Sequence, residues 1–183
     1  MKVIILDRDG VVNRDSDDYI KSPEEWIPIP GSLEAIARLL REGYRTVIVT
    51  NQSGVARGLF DRDTLVKIHS KMIDAVRAKG GDIEAIFFCP HGPDDGCRCR
   101  KPLPGLFAEV EERLKVNLNQ VYAVGDSERD VLAARAATAR PVLVRSGKGK
   151  RTLRKSKHLD KVPVFDDLAA FADALLVGDL PAL

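Results

Sequence analysis

An alternation constrains this chain most. Short β-rich runs at 3–6, 46–49, 85–88, 121–124 and 142–144 take turns with amphipathic stretches at 32–41, 61–78, 104–115, 128–137 and 166–176. Strands joined through helices run parallel, and their apolar faces are covered by helices on both sides. The expected fold class is therefore α/β, a doubly wound, mostly parallel, Rossmann-like sheet. Gly31, Gly43, Gly80 and the Pro104-Gly105 pair punctuate the helical stretches. The stretch 10–30, with Pro23, Pro28 and Pro30, is too broken for a long helix. It reads as a loop or hairpin over the first strand, a flap anchored by Trp26. At 183 residues and 44% apolar content the chain suits one core. One domain over 1–178 and a frayed tail at 179–183 are expected.

The first strand delivers Asp7-Arg8-Asp9-Gly10 to the carboxyl edge of the sheet, where open α/β folds bind ligands. A period of two sends Asp7 and Asp9 to the same side. One can attack while the other moves protons, and a divalent cation would relieve their repulsion and neutralise an incoming phosphate. The same tetrapeptide also fits calcium loops and plain turns. The second strand ends on Thr50-Asn51-Gln52-Ser53-Gly54, whose hydroxyl and N–H donors can hold phosphate oxygens or simply cap a turn. Arg100-Lys101-Pro102 can offset a nucleophile's charge and grip an oxyanion, or be a solvated basic loop. Gly125-Asp126-Ser127-Glu128-Arg129-Asp130 brings a further strand-end carboxylate, a magnesium ligand if it meets Asp7. Its plainer reading makes Asp126 or Ser127 a helix cap and Asp130 an exposed first-turn residue.

All three cysteines lie between 89 and 99, an odd count that argues against a disulfide framework. Cys89-x-His91, five intervening residues and Cys97-x-Cys99 match a four-ligand tetrahedral zinc site. Four protein ligands leave no open position, so this zinc is expected to be structural, stiffening the loop that presents Arg100 and Lys101. The competing reading is three unreactive thiols and a surface histidine.

Lys and Arg (29) nearly balance Asp and Glu (27), so no global field steers the chain to nucleic acid or an acidic membrane. Between 148 and 158 lie six Lys or Arg and no acid. Without interleaved aromatics that segment reads as a solvated surface, although it could attract a second phosphate. His69 reads as a surface or core-edge residue. No leader pattern or membrane-length apolar stretch is seen, and no helix has a coiled-coil seam. A cytoplasmic monomer without nucleic-acid or membrane partners is expected. A zinc-loop module holding nucleic acid through the basic segment is the competing class of function.

Taken in order, Asp-x-Asp-Gly, the strand-end Thr, the Lys and Gly-Asp-x-x-x-Asp resemble the haloacid dehalogenase-like phosphohydrolases, from Lys2 to about Gly149. The resemblance implies that Asp7 is the nucleophile, forming an aspartyl-phosphate, and that Asp9 protonates the leaving alkoxide and deprotonates the attacking water. It implies that Thr50 and Lys101 stabilise the phosphoryl group, and that Asp7, the carbonyl of Asp9 and Asp126 bind magnesium. No stretch is long enough for the cap domain many members insert, so an open site is expected. Cys-Arg-Lys-Pro after the cysteine cluster narrows the resemblance to the histidinol-phosphate and heptose-bisphosphate phosphatases. Thr50-Asn51-Gln52-Ser53-Gly54-Val55-Ala56-Arg57-Gly58 is similar to the heptose members, which implies a small-molecule sugar bisphosphate losing its C7 phosphate. Histidinol phosphate is the alternative substrate. By motif position, Arg8, Asp15, Ser16, Asp17, Asp18, Asn51, Gln52, Ser53, Arg100 and Ser127 are the implied substrate contacts. Asp15 to Asp18 can equally be solvated turn residues.

Overall fold

Six stretches pair into one parallel sheet in the computed structural model, which describes residues 2–180. They are β1 (Lys2–Leu6), β2 (Tyr44–Asn51), β3 (Ala85–Cys89), β4 (Tyr122–Gly125), β5 (Arg140–Val144) and β6 (Val164–Phe165). The spatial order is β3-β2-β1-β4-β5-β6, and each neighbouring pair is parallel. From β1 the chain first winds towards β3, then returns to β4 and winds the other way. The reversal lies between β1 and β4, where the loops leaving the two strands diverge and open a crevice at their carboxyl ends.

The period of two in β1 explains how the sheet is covered. Ile4 and Leu6 are fully buried on one face with Ile48, Val124 and Val142. That face is covered by α1 (Ser32–Arg41), α2 (Arg62–Ala78) and α6 (Leu168–Val177), through Ile36, Leu39, Ile68, Met72 and Phe171. Val3 and Ile5 point oppositely and meet Val47, Val49 and Phe87 under α3 (Gly105–Leu114) and α4 (Glu128–Ala136). Each fully buried side chain of this size contributes about 1.5–3 kcal/mol before ordering costs. Asp61 caps α2 by accepting from the Thr64 N–H at 2.7 Å, and Asp167 caps α6 from the Ala170 N–H at 2.9 Å. The expected helices thus form within a residue or two of the anticipated bounds.

The flap has no regular element beyond two isolated bridges, Asp9 with Asn13 and Asn13 with Pro28. Val11, Val12, Ile20 and Trp26 pin it into the core, with Trp26 only 1% exposed. One strand and one α-helix escaped the sequence reading. β6 has two residues, too few to show a period. The basic segment contains the helix α5 (Gly149–Lys155), in which only Gly149 and Thr152 are buried, so its charges hid a helix with almost no apolar stripe. The start of the expected frayed tail is also corrected. The Asp179 N–H donates to the Ala174 carbonyl at 2.9 Å and Leu180 packs on the core, while residues 181–183 lie outside the described part. Among the described residues no helix is long and apolar enough to cross a membrane.

Candidate active site

Asp7 follows β1 and Asp126 follows β4, so the two strand ends that flank the reversal each deliver a buried carboxylate. The Asp7 N–H donates to the Val124 carbonyl at 2.9 Å, continuing the ladder by one residue and fixing where the Asp7 side chain leaves. Ligand oxygens of Asp7, Asp126 and Asp130 all lie within 4.8 Å of one another. Lys101, 3% exposed, places its ammonium 3.1 Å from Asp7 Oδ1 and 2.6 Å from Asp130 Oδ1, and donates to the Val49 carbonyl at 2.9 Å. Asn51 holds the lysine's backbone from both sides, donating to its carbonyl at 3.1 Å and accepting from its N–H at 3.0 Å. Asp7 Oδ1 also accepts the Arg8 N–H at 2.8 Å. Both donors use one oxygen, Oδ1, and Asp7 lines the cleft.

Burial pushes the Asp7 carboxyl up to about 6; Lys101 opposes this, and the neighbouring Asp130 adds to it. Burial, with Asp130 and Asp7 nearby, lifts Asp126 well above the ordinary carboxylate range. Asp130 is also buried, but Lys101 and Arg129 outweigh that and hold it low. Three clustered carboxylates thus exceed the cationic charge that reaches them. Hard oxygen donors with that deficit fit a divalent cation such as magnesium. Two glycines complete the cradle. A Cβ on Gly10 would lie 2.0 Å from Asp126 Oδ2 and one on Gly147 2.3 Å from it, and both glycines have positive φ.

Asp9 is held differently. Its carboxylate accepts from Arg8 at 3.0 and 3.1 Å, from Asn13 Nδ2 at 2.9 Å and from Gln52 Nε2 at 2.9 Å. Burial pushes its pKa up, but the Arg8 guanidinium and these hydrogen bonds outweigh it and keep Asp9 below the usual carboxylate value. Gln52 also donates to Thr50 Oγ1 at 2.9 Å, which leaves the threonine's own O–H free to point into the cleft.

The cleft above these groups has a volume of about 270 Å³. Of the residues expected there, Asp7, Asp9, Asp15, Ser16, Asp17, Thr50, Asn51, Gln52, Ser53 and Arg100 line it. Arg8 does not: it is fully buried, and its guanidinium lies behind Asp9 on Gln52 and His69, so its implied substrate contact is corrected. Asp18 is exposed outside the cleft. Ser127 is the cap of α4, where its hydroxyl and N–H both donate to Asp130. The plainer reading of Ser127 therefore holds, whereas Asp130 is buried on Lys101 and not an exposed first-turn residue. Lys101 and Asp126 form the floor beneath the cleft wall.

Sequence reasoning missed Tyr19, Arg57, Arg129 and Lys148, which also line the cleft. Lys148 pairs with Asp15 at 2.8 Å and Asp17 at 3.2 Å, and its N–H donates to Asp126 Oδ2 at 2.7 Å. Its place just beyond the carboxyl end of β5 was the available signal; the basic run around it concealed that. Arg57 stacks on Tyr19, 5.9 Å from the ring centre, joining the loop after β2 to the flap.

The cysteine loop runs directly into Arg100, which lines the cleft. Cys89 Sγ lies 3.7 Å from Cys97 Sγ, 2.9 Å from Cys99 Sγ and 3.5 Å from His91 Nδ1, and His91 Nδ1 lies 3.3 Å from Cys99 Sγ. Tetrahedral zinc with bonds of about 2.0–2.3 Å needs edges of about 3.4–3.8 Å. Two of these four separations fall in that range, the 3.3 Å edge lies just under it and the short sulfur pair would open, so the four residues fit the metal. Arg100 donates to the His91 carbonyl at 3.2 Å, tying the cleft arginine to this loop.

A family profile described as HAD-hydrolase-like matches residues 98–171. The D-glycero-β-D-manno-heptose-1,7-bisphosphate 7-phosphatase of Bordetella bronchiseptica is 56% identical over 176 residues, 96% of this chain and 98% of that protein. The Pseudomonas aeruginosa protein of the same name is 53% identical over 174 residues, 95% of this chain and 97% of its own. The crystal structure of the B. bronchiseptica D,D-heptose 1,7-bisphosphate phosphatase with magnesium and phosphate superposes with a TM-score of 0.95, covering 97% of this chain and 99% of that one. The chain belongs to the D-glycero-β-D-manno-heptose-1,7-bisphosphate 7-phosphatase family of haloacid dehalogenase-like hydrolases.

Proposed function

We propose that this protein hydrolyses the C7 phosphate of D-glycero-β-D-manno-heptose 1,7-bisphosphate to the heptose 1-phosphate, in a magnesium-dependent reaction. The observation that carries the reading is the meeting of Asp7, Lys101 and Asp126 at the sheet reversal, in a chain that matches its named relatives over nearly its full length.

Asp7 attacks phosphorus through the oxygen that Lys101 and the Arg8 N–H leave free. The bond from phosphorus to the C7 oxygen breaks, and its electron pair stays on that oxygen, which takes a proton from Asp9. Asp9 is held as the anion at rest; the negative charge of the approaching phosphate raises its proton affinity, so it takes up a proton from solvent as substrate binds and passes that proton to the C7 oxygen. Water then attacks phosphorus and gives a proton to Asp9; the phosphorus–Asp7 bond breaks and phosphate leaves. Covalent catalysis of this kind divides one difficult displacement into two easier ones. The Thr50 hydroxyl and the backbone of 51–53 hold the non-bridging oxygens. Asp7, the Asp9 carbonyl and Asp126 would hold magnesium, which when bound supplies positive charge opposite the transferring group. Cys89, His91, Cys97 and Cys99 would hold a structural zinc.

The sugar and its second phosphate are met by Asn51, Arg57, Arg100, Lys148 and the flap residues 15–17. The protein works as a cytoplasmic monomer on one small molecule, with neither nucleic acid nor membrane as partner. Its product feeds lipopolysaccharide or nucleotide-activated heptose precursors. The test compares kcat/KM for phosphate release from heptose 1β,7-bisphosphate and from histidinol phosphate with magnesium. Preference for the heptose by orders of magnitude, with C7 cleaved, is expected; preference for histidinol phosphate would overturn the substrate.

A further inference from the structure

Arg8 is the largest charged side chain in the core, at 0% exposure, and the reaction as written gives it no part. Its guanidinium has one charged partner, Asp9, reached through Nε at 3.2 Å and through Nη2 at 3.0 and 3.1 Å. Two further donors meet neutral acceptors. Nη2 also reaches Gln52 Oε1 at 3.1 Å, and Nη1 lies 3.3 Å from His69 Nε2. An arginine only donates, so His69 Nε2 accepts here and the ring proton belongs on Nδ1. His69 comes from α2, lies edge-on to Phe88 with ring centres 6.0 Å apart and is 8% exposed. Burial, reinforced by the Arg8 charge, pushes its pKa down to about 3, so it stays a neutral acceptor. Gln52 closes the network by donating to Asp9 Oδ2.

We infer that Arg8 and His69 are positioning residues: His69 fixes the guanidinium, and the guanidinium with Gln52 fixes the Asp9 carboxylate towards the leaving-group oxygen. A buried arginine is costly unless its donors are matched, and giving Nη1 a neutral histidine leaves the charge undivided for Asp9. A second carboxylate at His69's place would draw the guanidinium away. The inference rests on Asp9 acting as the proton donor, so the experiment separates the two claims.

Proton donation matters for an alkoxide leaving group and hardly for p-nitrophenolate, which departs without a proton. kcat/KM reports only the steps through transfer of phosphorus to Asp7, and is read for heptose 1β,7-bisphosphate and for p-nitrophenyl phosphate. Asp9→Asn sets the scale: a large fall on the heptose and a small one on the aryl ester establish Asp9 as the donor. His69→Leu is expected to lower kcat/KM on the heptose by about 10- to 100-fold, and on the aryl ester by less than about threefold. His69→Gln, which keeps an acceptor, should restore most of the loss. Arg8→Lys should produce the same split from the other side of the brace. A split for Asp9→Asn but equal falls on both substrates for His69→Leu and Arg8→Lys would make the brace merely structural and overturn the inference. No split even for Asp9→Asn would overturn the reading of Asp9 itself, and the brace with it.

Discussion

The floor of the cleft and its walls are built by opposite means. The floor, Asp7, Lys101, Asp126 and Asp130, is at most 6% exposed; three of the four follow a strand end or open the helix after it, and the fourth is pinned by Asn51 and the Val49 carbonyl. The walls come largely from loops, with the flap's Asp17 side chain 80% exposed and Arg100, just beyond the cysteine loop, half-buried. Positions set by sheet register move little, whereas loops are held by a few side-chain contacts or a metal. The chemistry is therefore fixed by the sheet and the selection of substrate by the loops. If this division is correct, substitutions in the floor should destroy turnover for any phosphate ester, and substitutions in the walls should alter which ester is used.

Asp7→Asn should have the largest effect, a loss of about 10³-fold or more in kcat on sugar and aryl phosphates alike. The variant should melt no lower than the parent, because removing the charge relieves a carboxylate already held at about 6 by burial and its acidic neighbours. Substantial turnover in this variant would break the covalent mechanism. Lys101→Met comes next. It leaves the Asp7 and Asp130 carboxylates buried without their cation, so urea unfolding should show a loss of about 3–5 kcal/mol as well as lost turnover. An unaltered urea midpoint would mean that the floor is not held by this charge balance.

How much of this was legible in the residues follows the same division. Asp7, Thr50 and Asp126 were readable as candidates because strand ends in a doubly wound sheet converge, and β1, β2 and β4 are apolar enough to locate; Lys101, in the loop between β3 and α3, gained its role only through the family resemblance. Arg8 was misplaced although the needed signal was present: the period of two that aims Asp7 and Asp9 one way aims Arg8 the other. Asp130 looked exposed because a first-turn helical acid usually is, and only its long-range partner Lys101 makes it buried. Lys148 was hidden in a basic run whose other charges are indeed solvated. Gly10 and Gly147 reveal their role only in three dimensions, since what forbids a side chain there is Asp126, far away in sequence.

On the wall, Cys97→Ser should release zinc, measurable as metal per chain, and lower kcat/KM for the heptose about tenfold as Arg100 loosens. The aryl ester should be affected less, and zinc retained in full would break the ligand set. Asp17→Asn should matter less still, raising KM for the heptose a few-fold with the melting temperature unchanged, because Lys148 keeps its shorter contact with Asp15. A fall in kcat without a change in KM would instead connect this part of the flap to the chemistry.

Stability should also depend on pH, and the sign of that dependence follows from His69. Its folded pKa, about 3, lies below the ordinary 6.5, so below about pH 6.5 the unfolded chain takes up a proton that the folded chain refuses. The stability contributed is complete above 6.5 and falls as pH drops towards 3, with a slope of up to about 1.4 kcal/mol per pH unit. His69→Gln has no proton to bind there, so urea midpoints for parent and variant, measured from pH 7 to pH 4, should diverge with that slope. Parallel curves would show that His69 titrates alike in both states. In that case Arg8 would lose its neutral acceptor as soon as the ring was protonated, and the seat of Asp9 would depend on pH in a range where a fixed proton donor requires it not to.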